Sequence, residues 1–277
     1  MKCVLTVAGL GTRLLPLTKE LPKEMLPIYV KSSKSLVLKP ILQVIFESLY
    51  NYKIRDFCFI VGRTKRAVED HFTPDFDLVK QLKKEKKSHL AAEMEDFFKK
   101  LDTSNIVFTF QPKPIGFGDA IERGKRFVGN DNFLLHAGDD IVISINNDHL
   151  KRLETSFKKY NAEIACLLEE VVNPTNYGVV NGPILESGVI DIKEMQEKPK
   201  NPKSRLAIVA IYIFKPTIFQ YLVNPKKKTD PEKQLAEAFN TAIKKGRKVI
   251  GIVLKTNERR IDIGTPESYA KVLSSLQ

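Results

Sequence analysis

Apolar and polar residues along this chain alternate between two kinds of pattern. Short continuous apolar runs, rich in β-branched residues, recur at 3–8 (CVLTVA), 57–61 (FCFIV), 106–110 (IVFTF), 132–137 (NFLLHA) and 162–168 (AEIACLL). Such runs read as strands covered on both faces. Between them lie segments of helical period. In 40–52 the apolar stripe is Ile41, Val44, Ile45, Ser48 or Leu49, and Tyr52; 118–128 and 148–160 read similarly. Strands alternating with helices predict right-handed crossovers and an α/β fold, a doubly wound and mostly parallel sheet. Ligands of such sheets sit in the crevice at the carboxyl ends of the strands. Two polar stretches fall there together: the glycine turn after the first strand, and AGDD (137–140) after NFLLH.

Two regions break the alternation. Residues 74–102 form a charged stretch of helical period, expected as a helical insertion. Residues 171–214 hold several short strand-like pieces around NYGVV, GVIDI and LAIVAIYIF, expected as an antiparallel subregion beside the main sheet. Helical signals return at 216–223, 231–245 and 266–276, with a strand at 248–254. With no repeat and no low-complexity linker, 1–277 reads as a single domain.

Composition narrows this little. Apolar residues at 43% can fill a core, and charged residues at 28% leave a solvated surface. The three cysteines lie in or beside strand-like runs without C-x-x-C spacing, and the four histidines show no zinc spacing. Buried reduced thiols are therefore expected. There is no charged-then-apolar leader and no apolar run of about 18 residues, so a cytoplasmic protein without a membrane partner is expected. The net charge of +12 collects in lysine clusters at 80–87, 198–203 and 225–228. Solvated surface is their default reading. No basic stripe is interleaved with aromatics, so nucleic acid is not an expected partner.

The opening motif, AGLGTRLLPLTKELPKEMLP (8–27), carries the chemistry. A glycine turn after a strand presents N–H groups to a phosphate. Leu14 stands where a dehydrogenase-type G-x-G-x-x-G needs its third glycine, and no Walker loop occurs. Arg13 and Lys23 project from a segment stiffened by Pro16, Pro22 and Pro27. Singly, each is more often a surface cation.

This motif resembles the signature of the sugar-1-phosphate nucleotidylyltransferases, in the form carried by their UTP–glucose-1-phosphate uridylyltransferase branch, and the resemblance continues in order along nearly the whole chain. It implies a Rossmann-like fold with a sugar-binding antiparallel subregion. Ala8, Gly9 and Gly11 are implied in nucleotide binding, and Arg13 and Lys23 in catalysis. QPKPIGFGDA (111–120) resembles the pyrimidine-reading segment, with Gln111 and Gly116 as its contacts; a glutamine offers both an amide donor and a carbonyl acceptor. Asp139 of HAGDD and Asp262 of RRIDIGTP are implied as ligands of Mg²⁺, which accepts one or two carboxylates together with phosphates and water. NYGVV and MQEKPK resemble the sugar side, with Gly178, Glu197 and Lys198 contacting hexose and phosphate. DPEKQLAEAFNTAI (230–243) resembles a helix that begins near the sugar, with Glu232, Gln234 and Leu235 in register.

Three features depart from the pattern. Ala210-Ile211 stands where relatives often carry Gly-Arg, Asp119 where the uridylyltransferases often have histidine, and VKSSKSLVL (30–38) is inserted before the first helix. The insertion at 74–102 is implied as a subunit contact or lid. The expected activity is transfer of UMP from UTP to glucose 1-phosphate by a homo-oligomer, dimer or tetramer. A dTTP-dependent thymidylyltransferase and a non-catalytic nucleotide-sugar-binding regulator are the alternatives.

Overall fold

The computed structural model describes residues 1–31, 36–222 and 234–275. The lysine cluster at 225–228 and Glu232 lie outside them. The first half of the chain contains β1 (Lys2–Val7), β2 (Pro27–Lys31), β3 (Leu36–Pro40), α1 (Ile41–Asn51), β4 (Asp56–Val61) and α2 (Arg66–His71). It continues through α3 (Phe76–Lys84), α4 (Ser88–Asp102), β5 (Asn105–Phe110), α5 (Phe117–Arg123), α6 (Lys125–Val128) and β6 (Phe133–Ala137). Then follow β7 (Asp140–Ile143), α7 (Asp148–Lys159), β8 (Ile164–Glu170), β9 (Gly178–Asn181), β10 (Ile184–Glu186) and β11 (Val189–Asp191). The chain closes with β12 (Glu194–Glu197), β13 (Leu206–Phe214), α8 (Gln234–Lys244), β14 (Val249–Val253), β15 (Arg259–Asp262) and α9 (Pro266–Ser275).

The main sheet runs β10-β11-β14-β8-β13-β6-β1-β4-β5, with β9 attached to β13 and β12 to β9. Its site-bearing half is parallel: β6, β1, β4 and β5 all point the same way. Alternate residues of β1, β4 and β6 feed two different cores, as strands covered on both faces require, whereas β5, expected to be covered too, is the edge strand and leaves Val107 and Phe110 exposed. Leu5, Phe57 and Phe59 pack with Phe46 of α1, whereas Val4, Cys58 and Ile60 pack with Ile121, Phe133 and Phe214 on the other face. Each fully buried Leu, Ile or Phe stabilises the fold by roughly 1.5–3 kcal/mol. The expected α/β fold stands, and so do the helical insertion, a hairpin of α3 and α4, and the antiparallel strands after 171.

One placement differs from expectation. β13 does not lie beside the sheet; it is threaded into it, antiparallel to both β6 and β8. Its register shifts between Val209 and Tyr212, at the Ala210-Ile211 pair. The helix expected over 118–128 breaks at Gly124, where a Cβ would come within 3.0 Å of Val4. The inserted 30–38 stretch contributes to a separate two-stranded sheet, β2 with β3. Cys3, Cys58 and Cys166 are buried free thiols, each with its pKa raised by burial, and are therefore unreactive.

Candidate active site

Parallel register brings the carboxyl ends of β1, β4, β5 and β6 to one edge. A cleft of about 260 Å³ opens there, lined by Ala8, Gly9, Lys23, Gln111, Pro114, Gly116, Phe117 and Asp139. At Gly9 a Cβ would touch the Lys23 ammonium at an ordinary 3.6 Å, so packing alone does not demand glycine there. Gly138 packs against Val7, where a Cβ would come within 2.5 Å. Gly11 is not a wall of this cleft. It holds the left-handed conformation (φ 64°) that turns the chain into the Thr12–Leu14 turn, and its carbonyl accepts from Thr18 Oγ1 at 2.7 Å.

Gln111 is buried, but its chemistry is narrower than its side chain allows. Nε2 donates to the Gly116 carbonyl at 3.0 Å and to Asp119 Oδ2 at 2.9 Å. Both amide hydrogens are thus occupied within the protein, and Oε1 is left to meet a ligand.

Lys23 and Asp139, distant in sequence, form an ion pair. Burial opposes charge on both, yet each holds the other ionised. Lys23 is pushed above the usual lysine range by Asp139, with Glu24 and Asp262 helping, and Asp139 is held below the usual carboxylate range by Lys23. Asp262 arrives on β15, which pairs antiparallel with β7 so that Asp262 lies opposite Asp140, one residue from Asp139. Its pKa is raised by burial, then by the charges of Asp140 and Asp139, against the opposing pull of Arg260. Neither Arg13 nor Asp262 lines the cleft; Arg13 is exposed and lies beside the end of β15. A Cβ at Gly264 would fall 2.7 Å from Arg13 Nη2 and 2.9 Å from Asp262 Oδ1.

A second cleft of about 540 Å³ shares Pro114, Gly116 and Phe117 with the first, and it is lined by Tyr177, Gly178, Glu197, Lys198, Tyr212 and Leu235. Pairing of β9 with β12 sets Gly178 directly opposite Glu197, with no room for a side chain at 178: a Cβ there would be 3.1 Å from Glu197 Oε2. Lys198 adopts φ 41°, a strained conformation for a non-glycine residue, with its N–H donating to the Tyr177 carbonyl at 3.0 Å. Gln234 opens α8, one residue before Leu235 of the second cleft. It accepts from the Asp119 N–H at 3.2 Å and donates to the Ile115 carbonyl at 3.1 Å, clamping the start of α5.

A model of the nucleotidyl transferase family matches residues 2–277. The chain belongs to this family. Among its relatives, a Methanocaldococcus jannaschii protein provisionally named a UTP–glucose-1-phosphate uridylyltransferase is 36% identical over 98% of this chain and 90% of its own length. A UTP–glucose-1-phosphate uridylyltransferase of Pseudomonas aeruginosa is 32% identical over 97% and 92%. A crystal structure of a UDP-glucose pyrophosphorylase complexed with UDP-glucose superposes with a TM-score of 0.81 at 31% identity, covering 99% of this chain and 97% of that one.

Three side chains of this nucleotidyl transferase that stand at the site escaped the sequence reading. Glu24 lines the first cleft and is bound to Lys65 at 2.8 Å, both side chains being almost wholly buried. Burial raises the Glu24 pKa, while Lys65 and Lys23 pull it back. Arg260 grips Asp140 through two 2.8 Å bonds, reaches Glu169 at 3.5 Å, and lies over the Tyr177 ring. Asp140 is therefore engaged by Arg260 rather than facing the cleft alongside Asp139. Arg260 had a signal: in RRID, a period of two places it on the same strand face as Asp262. Glu24 had none, since its burial between Pro22 and Leu26 is set only by tertiary packing.

Proposed function

We propose that this chain transfers UMP from UTP to glucose 1-phosphate, releasing pyrophosphate and forming UDP-glucose. The observation carrying this reading is the shared wall of the two clefts. A nucleotide against Gly9 and Gln111 and a sugar phosphate against Gly178, Glu197 and Lys198 would meet at Pro114, Gly116 and Phe117, beside Lys23 and Asp139.

The attacking phosphate oxygen is already an anion at neutral pH, so the reaction needs no general base and no covalent enzyme intermediate. The chain has to align two polyanions and offset the charge that grows on the α-phosphate and the leaving pyrophosphate. Lys23 serves the α-phosphate; Arg13, whose guanidinium can bind bidentately, suits the β- and γ-phosphates. Lys198 holds the sugar phosphate, and Glu197 accepts from two hexose hydroxyls.

Asp139 and Asp262 fit Mg²⁺: two neighbouring acids raise the Asp262 pKa together with burial, a repulsion that a divalent cation relieves. Among the described residues no three acidic, His or Cys side chains gather at one point. Two carboxylates plus ligand phosphates and water match the ordinary magnesium shell. An ion held by Asp139 and Asp262 would supply Lewis-acid stabilisation of the charge on the reacting phosphates.

We take the enzyme to act as a homo-oligomer in the cytoplasm. Supporting the first part is an apolar cleft of about 630 Å³ between the β2–β3 hairpin and the α3–α4 insertion, lined by Leu36, Leu38, Leu78, Leu90 and Met94 among others; light scattering tests it. Among the described residues no helix is long and apolar enough to cross a membrane. The central test is pyrophosphate release from UTP, dTTP, CTP and ATP against glucose, galactose, mannose and N-acetylglucosamine 1-phosphates with Mg²⁺. Turnover restricted to another nucleotide, or to another sugar phosphate, refutes the assignment.

A further inference from the structure

Asp119 is buried behind Gln111 and touches neither cleft described above. Its surroundings fix what it can be. Arg123 donates to Asp119 Oδ1 from Nη2 at 3.1 Å and to Oδ2 from Nε at 3.4 Å. A guanidinium only donates, so both oxygens of Asp119 must act as acceptors. The Gly116 carbonyl, the other neighbour of the Gln111 amide, is an acceptor too. A glutamine amide placed between two fixed acceptors has one satisfied orientation, with Nε2 toward both. Turning it over would set Oε1 against a carboxylate and a carbonyl. The Gln234 clamp on the Asp119 and Ile115 backbone holds this arrangement from the far side.

Resting on the reading that Gln111 faces the pyrimidine of the bound nucleotide, we propose that Asp119, anchored by Arg123, is the positioning residue that locks Gln111 as a pure acceptor and so sets base specificity. Uracil presents an N–H at position 3, which Oε1 can accept. Cytosine presents a bare nitrogen there, and two acceptors would face each other without a proton. Discrimination of this kind, where a buried polar group is left unpaired by the wrong ligand, is far steeper than discrimination by shape. Thymine carries the same N–H, so the lock rejects cytosine without separating UTP from dTTP.

The experiment compares kcat/KM for UTP and CTP, at saturating glucose 1-phosphate, in the wild type, Asp119→Asn and Arg123→Gln. Asparagine keeps the shape but can turn a donor toward Gln111, releasing one of the two locks. The UTP:CTP ratio should fall about 10- to 100-fold, the scale of one hydrogen bond to a charged group. Arg123→Gln should lower it several-fold in the same direction. Because the Arg123 side chain is 40% exposed, this second variant is a test that does not empty the core. A general structural lesion would depress both nucleotides equally and leave the ratio alone. An active wild type with an unchanged ratio in both variants overturns this inference alone. A wild type that uses neither nucleotide refutes the functional reading, and the inference with it.

Discussion

Replacing Lys65 by methionine isolates the buried Glu24 carboxylate beneath the nucleotide cleft, and the consequence can be worked out from one distance. At 2.8 Å the attraction between the two charges is about 6 kcal/mol for an effective dielectric near 20. Much of this offsets the desolvation of the pair, and removing one partner of a buried pair typically costs ~3–5 kcal/mol. The cost has a ceiling, because Glu24 can take up a proton instead. Holding that proton against an ordinary carboxyl pKa of 4.5 costs about 1.4 kcal/mol per pH unit. That comes to roughly 5 kcal/mol at pH 8 and under ~1 kcal/mol at pH 5. A carboxyl whose folded pKa is raised binds more protons folded than unfolded, so stability is greatest at low pH and is lost as pH rises through the window above 4.5. Lys65→Met should therefore be destabilised, relative to wild type at the same pH, by ~3–5 kcal/mol at pH 8 and by about 1 kcal/mol or less at pH 5. Adding Glu24→Gln should recover most of the loss at pH 8. Urea denaturation in EDTA at pH 5, 7 and 8 measures all of this. A loss that is equal at pH 5 and pH 8, or a double variant no more stable than Lys65→Met, would show that Glu24 and Lys65 do not act as a buried charged pair.

Arg13→Ala and Asp139→Ala should each lower kcat by about 10²–10³, the scale of losing one preorganised charge stabiliser; near-normal turnover removes that residue from the mechanism. Lys198→Ala should raise the KM for glucose 1-phosphate about tenfold or more while leaving that for UTP little changed, as expected for a charge-assisted contact; the opposite pattern contradicts its assignment to the sugar side. Burial lowers the pKa of His136 to about 4 and of His149 to about 3 from 6.5, so only the unfolded chain binds their protons between those values. Stability should then be intact above pH 6.5 and fall by roughly 2–5 kcal/mol by pH 4.5, and His149→Gln should flatten that slope in denaturant melts.

The amino-acid pattern carried β1, β4 and β6 well, because a strand buried on both faces has to be a continuous apolar run; β5, an equally apolar run, is an exposed edge strand, since the pattern does not say where a sheet ends. The same fact hid β13. A run such as LAIVAIYIF states that both faces are covered but carries no mark of direction or neighbours, so its insertion between β6 and β8 could not be read from it. At the site, Gly9, Gln111, Gly116, Asp139, Gly178, Glu197 and Lys198 all stand on the walls of two adjoining clefts. Each lies at a strand end or turn, where ordered motifs leave a local signature. Glu24, Lys65 and Arg260 were missed for the opposite reason. A charged residue in a sequence is ordinarily solvated, and only tertiary pairing makes one buried.

Arg260 shows why such pairing matters to function as well as to the fold. The irregularity in β13 falls between Val209 and Tyr212, where the Ala210 N–H donates to Asp140 Oδ2 at 3.1 Å. Arg260 holds that same carboxylate, reaches Glu169 on β8, and lies over Tyr177, which lines the sugar cleft. One guanidinium thus ties together the strand bearing Asp262, the turn bearing Asp139 and a wall of the second cleft. Asp140 is the acidic residue nearest in sequence to Asp139, and Arg260, which holds it, also comes within 4.0 Å of Asp262. An anionic site that must receive two polyanionic substrates cannot hold more negative charge than a cation can bridge. In this chain, a buried arginine on β15 limits that excess, and Lys23 holds Asp139 in an ion pair at the cleft wall.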